Sequence, residues 1–145
     1  MSDPLYKKEL LRLAADAMGS GRLTVPCETG HAHNPTCGDK VTMDIALAEG
    51  RIVGVAHHTQ ACVITQAAAA IVGAEIAGLS RDEVLALHRD VAAMLTGAKP
   101  PPAPFDVFQV FDGVAGHKAR HKCVLLPLEA VLAAFAASEG GETGR

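Results

Sequence analysis

From Asp39 onward the apolar residues of this chain fall on every second position, and after Cys62 they fall on nearly every position. That switch constrains the fold more than any other feature. Val41, Met43, Ile45 and Leu47 alternate with Thr42, Asp44 and Ala46, which is the period of a half-buried strand. Glu49-Gly50 is a turn signal, and residues 52–59 form the returning strand of an antiparallel hairpin. Beyond Cys62 the pattern is helical and apolar all round through Ala77, as in a buried helix, with Gly78 placed to cap its end.

The other elements follow from local signals. Residues 5–18 carry Leu10, Leu13, Ala14 and Ala17 at helical spacing, and Gly19-Ser20-Gly21 stops the helix. Residues 19–35 are rich in Gly, Pro and His, with 22–25 as a candidate short strand. Ser80-Arg81-Asp82-Glu83 fits a capping box, with Leu79 and Val84 as its hydrophobic staple, so a further helix runs from Ser80 towards Leu95. The prolines of KPPPAP (99–104) exclude helix interior and make a stiff connector. Val124, Leu125, Leu128, Val131, Leu132 and Phe135 mark a last amphipathic helix. Pro127 fits most easily in a first turn, which predicts Cys123 at or just before the helix start. The expected organisation is a single domain over 1–137 with a flexible polar, glycine-rich tail over 138–145.

Composition narrows the function classes. Thirteen basic residues against sixteen acidic give a net charge of −3, and there is no Trp, one Tyr and four Phe. Neither a basic nucleic-acid surface nor an aromatic base-stacking platform is expected. The N-terminal stretch carries charges within its apolar pattern and lacks the continuous core of a secretion signal. The longest apolar run, 61–77, is broken by Gln66, Gly73 and Glu75, so no membrane span is expected. These readings predict a cytoplasmic protein, where four cysteines serve more often as ligands or reactive thiols than as disulfides. No Walker loop, G-x-G-x-x-G, H-E-x-x-H or Pro-Cys-x-x-Cys signature is present.

Three cysteines each stand at a boundary between elements: Cys37 in the loop before a strand, Cys62 between a strand and the buried helix, and Cys123 at the start of the last helix. No Cys-x-x-Cys occurs, so a shared site has to be assembled by the fold. A helix N-terminus lowers a thiol pKa, which favours thiolate at Cys62 and Cys123, and Arg120 and Lys122 add positive charge beside the latter. Asp39 is two residues from Cys37. In an extended segment the two side chains share a face, with Gly38 between them permitting an unusual backbone angle. Three thiolates and a carboxylate suit tetrahedral Zn²⁺, or equally an iron–sulfur cluster with one labile position. The rival readings are inert, packed cysteines and a local zinc clip of Cys27, His31, His33 and Cys37. Of the histidines, His57 and His58 fall on opposite strand faces, and His121 alone is kept as an auxiliary ligand.

At these residues the sequence resembles the IscU/NifU-type iron–sulfur cluster assembly proteins. The likeness rests on Asn34-Pro35-Thr36-Cys37-Gly38-Asp39, on Cys62 opening a small-residue helix, and on Arg120-His121-Lys122-Cys123 opening the last one. It is most similar to the SufU branch. Lys122 stands where scaffold proteins have His, Arg120 lies three residues before Cys123, and the separation of Cys62 from Cys123 is longer by about a helix, the extra segment being 88–104. The departures are Thr59-Gln60-Ala61 before Cys62, where the family has glycines, Cys27 without a counterpart, and no His/Asn-Pro stretch after the first helix.

The resemblance implies an α+β fold, with an antiparallel sheet of about three strands and helices mainly on one face. It implies metal ligands at Cys37, Asp39, Cys62 and Cys123, holding Zn²⁺ or, in a scaffold, a nascent [2Fe–2S] cluster. It implies a PLP-dependent cysteine desulfurase as partner, with acceptor apoproteins or a Suf scaffold complex downstream. Cys37 would accept persulfide sulfur, and Arg120 would help to loosen the metal site. The competing class is a small zinc module whose metal is purely structural.

Overall fold

The computed structural model describes residues 8–36 and 38–143. Cys37, named above as ligand and sulfur acceptor, lies outside the described residues. Three strands form one antiparallel sheet in the order β1-β2-β3: β1 (Glu28–Asn34), β2 (Asp39–Ala48) and β3 (Arg51–Gln60). Four α-helices accompany it: α1 (Lys8–Asp16), α2 (Val63–Glu75), α3 (Arg81–Met94) and α4 (His121–Thr143). Two 3₁₀ helices, Phe105–Val114 and Lys118–Arg120, lie between α3 and α4.

The hairpin β2–β3 forms where the alternation places it. Ala48 pairs with Arg51 across Glu49 and Gly50, whose positive φ values of 53° and 78° suit a two-residue turn of the primed type. Val41, Met43 and Ile45 are buried on the core face. The opposite face is less open than the alternation implies. Asp44 is also buried, because the segment before β1 folds across it: Arg22 Nε donates to its carboxylate at 2.6 Å, Leu23 N at 3.1 Å and Thr29 Oγ1 at 2.7 Å. Residues 22–25 are therefore not a strand but a strap over the sheet, and the strand is β1, paired along its whole length with β2 from Glu28↔Ile45 to Asn34↔Asp39.

Helices α2 and α4 bury the apolar face of the sheet. Helix α2 is enclosed on nearly every side, with Ile64, Ala67, Ala68, Ala69, Ala70, Ile71 and Val72 all buried. Helix α3 opens on the predicted capping box: Glu83 N–H donates to Ser80 Oγ, and Ser80 N–H to Glu83 Oε1 at 2.9 Å. Phe105, Phe108, Phe111 and Val114 recur every third residue, so the 3₁₀ helix stacks them on one ridge and buries all four.

Two expectations about the last helix need correction. Helix α4 starts at His121, so Cys123 is its third residue, fully buried, and Pro127 lies inside the helix rather than in its first turn. The segment Lys118–Ser138 is also long and apolar enough to cross a membrane by length and composition. Its apolar side chains, among them Val124, Leu126, Leu128, Val131 and Phe135, are instead buried in the core beneath the sheet.

Candidate metal centre

Asp39 opens β2, Cys62 caps the N-terminus of α2 and Cys123 stands in the first turn of α4. Three elements thus deliver one side chain each to the same end of the sheet. Their ligand atoms lie within 4.8 Å of one another, and among the described residues this is the one such group of three or more His, Cys, Asp or Glu side chains. Sulfurs held about 2.3 Å from one tetrahedral zinc stand roughly 3.8 Å apart, so two sulfurs and an oxygen at this spacing fit three corners of such a site. Asp39 and Cys123 are buried and Cys62 is half-buried.

Hydrogen bonds fix the carboxylate. Cys62 N–H donates to Asp39 Oδ1 at 2.9 Å, so the carboxylate takes one of the unpaired amides at the start of α2. Oδ2 faces the chemistry: the Cys62 sulfur is 3.2 Å from it and Thr65 Oγ1 is 2.9 Å from it. Sequence reading passes over Thr65. Its signal is a hydroxyl three residues beyond Cys62, hence on the same helix face.

The Cys62 thiol is pulled down from 9.0 to about 6. A hydrogen bond from the Cys123 thiol is the largest cause. Burial opposes it, and the Thr65 amide in the first turn of α2 and the Thr65 hydroxyl support it, while Asp39 pushes the other way. In the metal-free protein Cys62 alkylation by iodoacetamide should therefore rise with pH around about 6 and level off above it. A rate that keeps climbing towards pH 9, measured by peptide mass mapping, would contradict this arrangement.

Gly38 has a φ of +76°, as its place between Cys37 and Asp39 suggests, and its N–H donates to Asn34 O at 2.7 Å. The clip of Cys27, His31, His33 and Cys37 does not form as a unit. Cys27 immediately precedes β1 and His33 lies six positions further along the extended chain, a span of about 20 Å. His31 and His33 lie exposed on the sheet surface, His31 Nδ1 within 3.0 Å of Thr42 Oγ1. His121 Nε2 donates to Ala115 O at 2.9 Å and is not among the converging ligands. Arg120 is half-buried in the short 3₁₀ turn that leads into α4, while Lys122 is exposed and directs its ammonium to Glu129 at 3.2 Å.

A family model described as the NifU-like N terminal domain matches residues 5–135. The chain belongs to the NifU-like N terminal domain family. Among its relatives, the iron–sulfur cluster assembly scaffold protein IscU of Streptococcus pyogenes serotype M1 is 28% identical over 116 residues, which is 79% of this chain and 73% of that protein. The zinc-dependent sulfurtransferase SufU of Bacillus subtilis (strain 168) is 27% identical over 111 residues, 75% of each chain. The crystal structure of the N-terminal part of a nitrogen-fixing NifU-like protein from Brucella abortus superposes with a TM-score of 0.85 at 28% identity, covering 95% of this chain and 96% of that one. The α+β fold of this NifU-like chain is thus shared along almost its whole length. Asp39, Cys62 and Cys123, which the family resemblance picks out, are the same residues that the fold brings together.

Proposed function

We propose that this protein is a cytoplasmic iron–sulfur cluster assembly factor of SufU/IscU type, built on a metal site of Cys37, Asp39, Cys62 and Cys123. The observation that carries the proposal is the convergence of two sulfurs and one carboxylate oxygen from β2, α2 and α4 within 4.8 Å. Soft sulfur donors select Zn²⁺ or iron over the hard cations. A bound metal supplies one thing here: it keeps the thiols deprotonated and held side by side.

The chain's own residues do the rest. Cys37 is the sulfur acceptor. As a thiolate it attacks the outer sulfur of a persulfide on a PLP-dependent cysteine desulfurase. The new S–S bond forms on Cys37, the donor's S–S bond breaks, and the donor cysteine leaves as thiolate, with no net redox change. Arg120, one turn ahead of Cys123, assists ligand exchange by offering positive charge to a departing anionic ligand. Asp39 is the weakest partner for a thiophilic ion and suits the exchangeable position. Downstream, acceptor apoproteins or a Suf scaffold complex take the sulfur. In a scaffold role the same ligands receive the nascent [2Fe–2S] cluster as cargo. The zinc-dependent sulfurtransferase among the relatives and the Arg120 and Lys122 pattern favour the relay with Zn²⁺.

Incubation with a cysteine desulfurase, cysteine and no reductant tests the proposal. The expected result is one added sulfur on Cys37 by mass spectrometry, absent in Cys37→Ser. If no persulfide forms and anaerobic iron and sulfide also build no cluster, the function is lost and a structural zinc module is the better reading. Zinc in the freshly purified protein would favour relay, and iron with acid-labile sulfide would favour scaffolding.

A further inference from the structure

The outer face of the sheet carries imidazoles that the thiol and carboxylate group does not use. His31 and His33 stand two residues apart in β1, so their side chains project from the same face, and both are exposed. The register places Thr42 opposite His31 and Lys40 opposite His33. All four residues line an open cleft of about 320 Å³. Asp39 falls on the alternate positions of β2 shared with Val41 and Met43, so the other group belongs to the core face.

His31 Nδ1 is 3.0 Å from Thr42 Oγ1. A neutral imidazole has one N–H and one lone pair. With Nδ1–H donating to the hydroxyl, the lone pair of His31 sits on Nε2, at the far end of the ring. Metal-bound histidines almost always donate their second ring N–H in this way. Cα atoms two residues apart in a strand are roughly 6.5–7 Å apart. Two nitrogens each about 2.0–2.1 Å from one tetrahedral ion stand roughly 3.3 Å apart, a gap that two rings on one face close by rotamer changes.

We propose that His31 and His33 form a second metal site, a two-imidazole clamp on the exposed sheet face that takes a borderline divalent cation such as Zn²⁺, with Thr42 fixing the His31 ring and water completing the sphere. Imidazole suits such ions, and no thiolate is involved, so the site is independent of the metal centre proposed above. Lys40 is the one fixed charge lining the cleft. Its ammonium works against a cation, but on a long exposed side chain in salt that repulsion is weak. A single ammonium is also little on which to build an anion site, whereas two neutral imidazoles offer two lone pairs. Held only by two surface imidazoles, the ion exchanges freely and is lost on gel filtration.

The test is a zinc titration of the untagged full chain followed by imidazole nitrogen NMR, with melting temperature as the check on folding. Zinc added beyond what the thiols take up should shift the ring nitrogens of His31 and His33 together, with Nε2 as the metal-bound atom of His31. His58, exposed on the same face opposite Thr42, should not move. His31→Gln and His33→Gln should each weaken this zinc at least about ten-fold without lowering the melting temperature, because one imidazole does not chelate. Thr42→Val should weaken it about ten-fold through loss of the partner that orients the ring. A shift at only one of the two rings, or binding in both glutamine variants within two-fold of the parent, overturns the proposal. So does a response of both rings to inorganic phosphate and not to zinc, which would make the cleft an anion site. If the thiols take up no zinc and the first equivalent goes to the histidines, the metal centre proposed above fails and this site stands. If the thiols fill and the two rings stay silent, this site alone fails.

Discussion

Gly30→Ala should destabilise the protein by about 3 kcal/mol and lower its melting temperature by roughly 10 °C. Gly30 is buried in β1, where the strand lies against α4. A Cβ built there would come 2.2 Å from Ala130 O, 2.3 Å from Ala134 N and 2.8 Å from Ala133 C. These are backbone atoms of a buried helix, so no side-chain rotation relieves the clash. Either α4 moves off the sheet or β1 leaves its register. Because α4 also carries Cys123 and β1 pairs with β2, which opens on Asp39, the damage reaches the metal centre, and metal affinity should fall with stability. Gly116→Ala is the control: nothing lies within 4 Å of its Cβ, and a change within about 0.5 kcal/mol is expected. Equal unfolding curves for the parent and Gly30→Ala would show that β1 does not pack on α4 in this way.

Cys62→Ser should lower zinc affinity by at least about 100-fold, more than loss of an outer-shell partner usually costs, whereas Cys27→Ser leaves it unchanged. Serine at position 62 can still donate its amide to Asp39 Oδ1, so the start of α2 keeps its cap and the loss isolates the sulfur. Cys123→Ser should do the same, with an added stability cost because its hydroxyl would be enclosed. Cys27 is half-buried ahead of β1 and is not in the converging group. Zinc stoichiometry by elemental analysis after gel filtration separates the cases. Full zinc in Cys62→Ser with loss in Cys27→Ser would overturn the assignment.

The elements that could be read in advance are those whose physics is local. The β2–β3 hairpin follows from period-two alternation and a two-residue turn. The start of α3 follows from a capping box that closes within four residues. The burial of α2 follows from a sequence that is apolar all round. Strand β1 could not be read this way. Glu28-Thr29-Gly30-His31-Ala32-His33-Asn34 has little strand propensity, and its small inward residues make sense only beside α4. The Phe105, Phe108, Phe111, Val114 ladder did carry a signal, a period of three, which neither the helix nor the strand template detects.

Pro127 shows how the third dimension overrides a sound local rule. Proline is tolerated early in a helix because no donor is lost there, so a first-turn position was the natural expectation. Seven residues into α4 it offers no N–H to the Cys123 carbonyl, and Thr65, distant in sequence, comes within hydrogen-bonding reach of that oxygen.

By itself, the sequence determined which residues have metal chemistry and at which element boundaries they stand. Thiols and carboxylates are recognisable as donors, and strands, turns and caps depend on neighbours within a few positions. Only the tertiary structure decided that Asp39, Cys62 and Cys123 meet within 4.8 Å while Cys27, His31 and His33 stay out. It also decided that Asp39 is held by an amide of α2 and shares a hydroxyl with α4. Those contacts join residues far apart in the chain, and their geometry is set by how α2 and α4 pack on one sheet face, which no local pattern encodes.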